Sequence, residues 1–173
     1  VLGSTVEAIE KLVKDNQNDI KVQIANDNSE GQIVLSGKIE ELDKLIIILK
    51  EKSIKNIKLP VSAPFHCNLM SKATNIMSEE LNKLSFLQSE NKLISNVTAN
   101  EIRDTDELKD LLIKQIENRV RWRESVINMI NNDVNHFIEI GPGKVLSGLV
   151  KRINREVKIS TINNQGDIES LEI

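Results

Sequence analysis

The pattern of apolar and polar positions changes near residue 60, and the first part of the chain reads as a small α/β unit. Apolar residues at helical spacing predict two helices, at about 5–16 and 39–53. Alternating stretches predict three strands, at 21–25, 32–36 and 54–60. The polar loop at 26–31 predicts that the first two of these strands form an antiparallel hairpin. With Val1 and Leu2 taken as the end of a clipped first strand, the order is β-α-β-β-α-β, the ferredoxin-like pattern.

From residue 61 onward, strands and longer helices alternate. Helical spacing predicts four helices, at about 69–84, 106–118, 119–131 and 145–154. Strands are predicted at 93–97, 134–140 and 158–162. Such alternation is typical of a parallel α/β sheet. The sequence therefore predicts an α/β protein with two subdomains, residues 1–60 and 61–173.

Composition and charge restrict the class of protein. With 173 residues, 39% of them hydrophobic and 28% charged, the chain has the composition of a soluble globular protein. The net charge of −3 comes from interspersed acidic and basic residues, so neither nucleic acid nor a membrane surface is a predicted partner. No apolar run approaches the roughly 18 residues of a membrane-spanning helix. The single cysteine allows no internal disulfide and favours a reducing compartment, here the cytoplasm.

Residues 59–70 concentrate the rare side chains of the chain, including two of its three prolines and its only cysteine. Pro60 and Pro64 favour extended backbone, so we expect His66 to be presented on a stiff segment at the boundary between elements. A histidine held in this way could act as a general base. From these residues alone, a structural histidine at the start of a capped helix is the favoured interpretation, since most histidines are not catalytic.

Other chemical signals are weaker. Cys67 adjoins His66, but neighbours on an extended segment point to opposite faces, which disfavours a nucleophilic pair. One Cys and two distant His do not make a metal site, and His136 in a predicted strand is interpreted as structural. Gly141-Pro-Gly-Lys lacks the spacing of a phosphate-binding loop. A Gly-x-Ser-x-Gly nucleophile motif does not occur in the sequence.

Four stretches carry a resemblance to a known family. They are residues 26–37 (NDNSEGQIVLSG), 62–70 (SAPFHCNLM), 115–122 (QIENRVRW) and 139–146 (EIGPGKVL). In this order they resemble blocks of the malonyl-CoA:acyl carrier protein transacylases, in the C-terminal portion of that family. The resemblance implies a ferredoxin-like small subdomain followed by the C-terminal part of an α/β-hydrolase-like parallel-sheet subdomain.

The resemblance also implies a site and a reaction. His66 matches the family's catalytic base, and Gln115 matches the residue whose main-chain carbonyl orients that base. Phe65, Asn26 and Asn28 match substrate-binding or cleft positions, with Phe65 favouring malonyl over methylmalonyl groups. The implied reaction is ping-pong transfer of malonyl from malonyl-CoA to the phosphopantetheine thiol of acyl carrier protein, with no cofactor beyond these substrates.

The chain also departs from the family. The nucleophilic Ser, the malonate-binding Arg and the oxyanion-hole groups would lie before Val1, so we expect a missing N-terminal half and no activity of this chain alone. Arg119 stands where the family usually has Pro, which could alter the helix junction near Gln115. Two alternatives remain: a non-catalytic module that binds acyl carrier protein, or an acyltransferase for another acyl-CoA.

Overall fold

A computed structural model describes residues 1–171 and confirms the mixed α/β class. The helices are α1 (Val6–Asp15), α2 (Ile39–Glu51), α3 (Ser71–Asn82), α4 (Thr105–Lys114), α5 (Trp122–Asn131), α6 (Val145–Ile153) and α7 (Gln165–Glu169). The strands are β1 (Val22–Ser29), β2 (Gln32–Gly37), β3 (His136–Ile140) and β4 (Lys158–Ile162), and a 3-10 turn spans Asn68–Met70. By internal contacts the chain forms two compact units, Val1–Ser125 and the part that begins at Val126. The predicted subdomains, 1–60 and 61–173, stay a prediction; the last two residues of the second lie outside the described residues.

The first unit opens with a small antiparallel sheet. β1 and β2 form the predicted hairpin, with Val22 opposite Gly37. Leu2 makes antiparallel bridges to both Gln32 and Lys55, which gives the strand order of the ferredoxin-like pattern. The first and last strands of that pattern are reduced to these single bridges. The prediction of a strand over 54–60 is therefore wrong beyond Lys55, because the rest of this segment pairs with no described strand.

The core of this sheet lies under the two helices that were predicted beside it. Its buried members are Val6, Ile9, Leu12, Ile20, Val22, Ile33, Leu45 and Leu49. Ile9 and Leu12 of α1 and Leu45 and Leu49 of α2 recur every three or four residues, so each helix turns one apolar stripe toward the sheet. Burying each such side chain contributes about 1.5–3 kcal/mol. This packing fixes β1, the strand that leads to the candidate site.

β1 is longer than predicted because residues with a preference for turns are drawn into a strand. Asn26 to Ser29 pair with β2, and the register shifts between Ile24 and Asn26 and again between Asp27 and Ser29. These bulges change which side chains face inward. Asp27 is completely buried as a result, although an aspartate is rarely found inside without a partner. Pairing on both edges of the strand thus overrides the local preference for a turn.

The middle of the chain holds two further corrections. The predicted strand at 93–97 is only a single bridge between Ile94 and Glu101. Helix α3 packs against α4 but buries none of its residues, and Ile76 is 65% exposed. Helical spacing thus identified the apolar stripe of α3 correctly, but the stripe lacks a full cover among residues 1–171. Spacing reports which side is apolar and says nothing about what packs on it.

The second unit contains a β-α-β motif. β3 and β4 are parallel, with His136 opposite Lys158 and Ile140 opposite Ile162, and α6 connects them. This confirms the predicted parallel pairing of these two strands. Helix α7, which follows β4, was not predicted; Asn164 caps it together with Asp167 in a capping box.

Candidate active site

His66 lies in a turn rather than on the extended segment that the prolines predicted. Its φ angle is +58°, in the left-handed region, where histidine is more common than most non-glycine residues. Such a conformation costs about 1–2 kcal/mol and persists only where surrounding contacts fix it. The turn also separates His66 from Cys67, which is buried and donates its thiol hydrogen to the carbonyl oxygen of Pro64 at 3.1 Å. The two side chains therefore do not pair.

The imidazole of His66 is held by the main chain of Gln115. Its Nδ1 lies 2.8 Å from the carbonyl oxygen of Gln115, and the ring is half-buried. A carbonyl oxygen can only accept a hydrogen bond, so Nδ1 must carry the hydrogen. In the neutral ring the lone pair is then on Nε2, to which no residue among 1–171 forms a hydrogen bond. This arrangement leaves Nε2 able to take a proton.

The carbonyl of Gln115 is available because it lies at the end of a helix. Gln115 is the C-terminal cap of α4, and the last carbonyls of a helix have no partner within it. The amide of Gln115 still donates to Leu111 in the last turn. On its other side, the Gln115 side-chain oxygen accepts from Nδ2 of Asn96 at 3.3 Å. Asn96 was missed by sequence reasoning, since its loop has no distinguishing motif.

The segment that follows Gln115 is paired to β1. The amide of Val120 donates to Ala25 at 2.8 Å, and the amide of Asp27 donates to Val120 at 2.9 Å. This parallel bridge is centred on Asn26 and explains why α5 begins at Trp122 and not at the predicted residue 119. The structure thus brings Asn26 next to the segment that carries Gln115. Asn28, also half-buried, follows two residues along the same strand, and within residues 1–171 neither Asn forms a hydrogen bond with His66.

Two ion pairs attach the same segment to the rest of the first unit. Nε and Nη2 of Arg123 grip the carboxylate of the buried Asp27 at 2.9–3.1 Å. The hydrogen bonds that Arg123 donates to Asp27 raise the pKa of the Arg123 guanidinium above its usual value. Arg119, flagged in the sequence as a departure, pairs with Glu10 of α1 at 2.7 Å. Sequence reasoning did not find the Asp27–Arg123 pair, because 96 residues separate its members.

The residue before His66 lies on the surface, and neither residue lines the two cavities nearby. Phe65 is 51% exposed, and cavities of about 250 Å³ beside Gln115 and about 630 Å³ beside β1 are lined by neither His66 nor Phe65. In the described part of the chain, no three His, Cys, Asp or Glu side chains are grouped so as to hold a metal ion. No helix within residues 1–171 has the length and apolar character needed to cross a membrane.

Beside the glycine turn after β3, a carboxylate of the chain itself, and not a phosphate, contacts the start of α6. Gly141 and Gly143 have φ angles of +136° and +94°, which favour glycine and explain both residues. The N-terminal amides of α6 donate to the carboxylate of Glu139, from Leu146 at 3.1 Å and from Ser147 at 2.7 Å. Hydrogen bonds from Ser147 and its neighbours lower the pKa of Glu139. The chain's own carboxylate thus takes the position where a helix would otherwise attract an anion.

Comparison with known proteins indicates a class of enzyme: the relatives and solved structures that match this chain are acyltransferases. They are malonyl CoA-acyl carrier protein transacylases, which confirms the resemblance predicted from the sequence. The chain is 39% identical to the Bacillus subtilis (strain 168) enzyme over 171 residues, covering 98% of this chain and 54% of the relative. The Clostridium perfringens structure matches with a TM-score of 0.92 and 37% identity, covering 98% of this chain and 54% of that one.

A third comparison involves a complex. A malonyl-transacylase solved with a type II PKS acyl-carrier protein matches with a TM-score of 0.91 and 29% identity, covering 98% of this chain and 55% of the other. The chain thus spans about half the length of the relatives it matches. No protein-family model matches the chain.

Proposed function

We propose that this chain forms the histidine half of a transacylase that moves a malonyl group from malonyl-CoA to acyl carrier protein in fatty acid synthesis. The observation that supports this proposal is the contact between Nδ1 of His66 and the carbonyl oxygen of Gln115. It leaves Nε2 as the basic atom, and it occurs in a chain similar to malonyl transacylases over 98% of its length.

The proposed reaction has two half-steps in which His66 moves one proton each way. Nε2 takes the proton of a serine hydroxyl as the serine oxygen attacks the malonyl thioester, and then returns that proton to the sulfur of CoA as the C–S bond breaks. The phosphopantetheine thiol of the carrier protein then gives its proton to Nε2 and attacks the malonyl-serine ester. The serine leaves with the proton, so atoms and charge balance and no cofactor is consumed.

In this scheme Gln115 orients the base. Its carbonyl has the place of the carboxylate in a Ser-His-Asp triad, fixing the tautomer and stabilising the imidazolium that forms. Because the main chain makes the contact, the identity of the side chain matters less than the position of α4's last turn. We propose that Asn26 and Asn28 line the cleft, and that the ring of Phe65 excludes a methyl branch on the acyl group.

The serine and the arginine that pairs with the malonate carboxylate are proposed to come from residues outside this sequence. The sequence has no Gly-x-Ser-x-Gly motif, and no serine within residues 1–171 is hydrogen-bonded to His66. We therefore expect residues 1–173 alone to transfer no malonyl group. The partners in the proposal are malonyl-CoA, acyl carrier protein and that serine-bearing half.

Labelling tests this proposal. The full-length protein that contains this sequence is incubated with radiolabelled malonyl-CoA, and the label should appear on one serine and be released onto added phosphopantetheinylated carrier protein. Absence of serine labelling would refute the transacylase. Carrier-protein binding without labelling would instead identify a non-catalytic module, and faster labelling by another acyl-CoA would identify a different acyltransferase.

A further inference from the structure

We propose that the buried Asp27–Arg123 pair is a positioning device that keeps the Gln115 carbonyl aligned with His66. This inference rests on the function proposed above and extends it to two residues that do not touch the base. Both belong to the first compact unit, as do His66 and Gln115.

The segment from Gln115 to Arg123 joins two helices and needs external support. Between the end of α4 and the start of α5, residues 115–121 form a helical turn and a short extended piece rather than regular helix. The backbone bridge at Val120 is only one residue wide. The Arg121 amide adds one bond to the carbonyl of Asn96 at 2.8 Å. These few backbone hydrogen bonds fix the position of the segment, but the direction in which α5 starts depends on side-chain contacts.

Asp27 supplies that direction because it acts on both sides of the bridge. Its amide donates to Val120, and its carboxylate holds two nitrogens of Arg123 in the first turn of α5. A guanidinium with two nitrogens on one carboxylate fixes an angle as well as a distance. Asp27 is completely buried and the Arg123 side chain is 26% exposed, so water competes little for either group. One residue of β1 therefore holds both the bridge and the helix that follows it.

The effect reaches His66 through Gln115. The backbone of residues 115–121 joins the end of α4 directly to the bridge at Val120, so a tilt at the start of α5 pulls on the Gln115 carbonyl. The hydrogen bonds from Asn96 to the Gln115 side chain and from Arg121 to Asn96 add only a smaller contribution to this link. The carbonyl of Gln115 is the oxygen that selects the Nδ1-protonated tautomer of His66. We therefore expect loss of the Asp27–Arg123 pair to relax that tautomer and to slow proton transfer.

The test compares Asp27→Asn with a matched control, Glu10→Gln. The control breaks the Arg119–Glu10 pair, which attaches the same segment to α1, but Glu10 is 53% exposed and makes no backbone bridge. In Asp27→Asn we expect kcat for malonyl transfer to fall about 10- to 100-fold with KM for malonyl-CoA unchanged, as for a small misplacement of a catalytic group. Glu10→Gln should stay within about twofold of the wild type, since exposed pairs contribute little. Arg123→Lys, which keeps the charge but loses the fork, should fall between the two.

A second readout needs no activity. The full-length protein is labelled with ¹⁵N-histidine, the ring signals of His66 are assigned with His66→Gln, and spectra are recorded near pH 8, where an ordinary imidazole is neutral. The wild type should show the Nδ1-protonated tautomer and Asp27→Asn a mixture, whereas Glu10→Gln should match the wild type. If the proposed function were wrong, the wild type would transfer no malonyl group, yet the spectra would still decide whether the pair positions the ring.

Asp27→Leu combined with Arg123→Met guards against a variant that fails to fold. Replacing a buried ion pair by apolar side chains of similar volume is often tolerated. The double variant should fold and show mixed tautomers. Wild-type tautomer and kcat in either Asp27→Asn or the double variant would overturn the proposal, as would equal losses in Asp27→Asn and Glu10→Gln.

Discussion

The two histidines of this chain are both bonded through one ring nitrogen, but their surroundings differ in kind. His66 lies in a left-handed turn, and its Nδ1 donates to the main-chain carbonyl of Gln115. His136 lies at the start of β3, and its Nε2 is 2.9 Å from the hydroxyl of Ser160 on the neighbouring strand. A hydroxyl can donate or accept, so it fixes neither tautomer, whereas a carbonyl fixes one.

This difference shows what separates a structural histidine from a candidate base. The Ser160 contact links two paired strands and occupies Nε2 of His136, the ring nitrogen that is without a hydrogen bond in His66 among residues 1–171. The Gln115 contact occupies Nδ1 and leaves Nε2 without a hydrogen bond among residues 1–171. His66 itself has an unusual φ angle, which contacts with neighbouring residues must support. The predictions below test this contrast, beginning with the largest expected effect.

Replacing each histidine by alanine gives the strongest test. In the full-length protein, His66→Ala should slow malonyl transfer about 10²- to 10⁴-fold, the usual contribution of a general base. His136→Ala should transfer at close to the wild-type rate. Rates are measured as malonyl-carrier protein formed at saturating malonyl-CoA, with circular dichroism to confirm folding. Near-normal turnover of His66→Ala would remove His66 from the reaction.

Phe65→Ser tests the substrate preference next to the base. Removing the exposed ring should raise methylmalonyl transfer relative to malonyl transfer by about tenfold, the lower end of the discrimination that one methyl group provides in a pocket. The measurement is competition between the two acyl-CoA substrates in one reaction. Phe137→Leu, which changes an aromatic residue beside His136, is the control and should leave the ratio unchanged. An unaltered ratio in Phe65→Ser would exclude the ring from acyl selection.

The partners of the two histidines should respond differently to side-chain loss. Gln115→Ala removes the bond from Asn96 but keeps the carbonyl that faces His66, so transfer should fall no more than about fivefold, equivalent to roughly 1 kcal/mol for one hydrogen bond. Ser160→Ala should lower the free energy of unfolding by about 1 kcal/mol without changing transfer. Urea titrations and transfer rates together check both results. A loss for Gln115→Ala as large as that for His66→Ala would show that the side chain, and not the carbonyl, does the work.

The smallest effect concerns Glu139, three residues after His136. Its pKa is below the ordinary value of 4.5 because Ser147 and neighbouring amides of α6 bind the ionised form. A lowered folded-state pKa stabilises the fold above the unfolded value, and this contribution is lost as the pH falls through the folded-state pKa. Glu139→Gln should therefore reduce stability by at most about 1 kcal/mol at pH 7, and its difference from the wild type should close below pH 4.5. Urea midpoints measured in steps from pH 7 downward check this, and a difference between the two proteins that does not shrink below pH 4.5 would contradict it.

Local patterns predicted most helices of this fold but not the reach of β1. The apolar stripes of α1 and α2 pack against the sheet as their spacing predicted, because a repeat of three or four residues aligns the apolar side chains of successive turns on one face of the helix. Asn26 to Ser29 were predicted as a turn, yet pairing with β2 and Val120 makes them strand. The intrinsic preference of a residue for turn or strand is weak, and backbone pairing on both edges of a strand readily overcomes it.

What the sequence determined by itself was the α/β class, the parallel pairing of β3 and β4, and, through its four motifs, the resemblance to malonyl transacylases. It also singled out His66, since rare residues cluster around it. Only the tertiary structure decided which nitrogen of His66 is open, how the segment after Gln115 is held, and that Asp27 and Arg123 meet. These features depend on long-range contacts such as His66–Gln115, 49 positions apart, and Asp27–Arg123, 96 positions apart, and no local spacing encodes contacts at such a range.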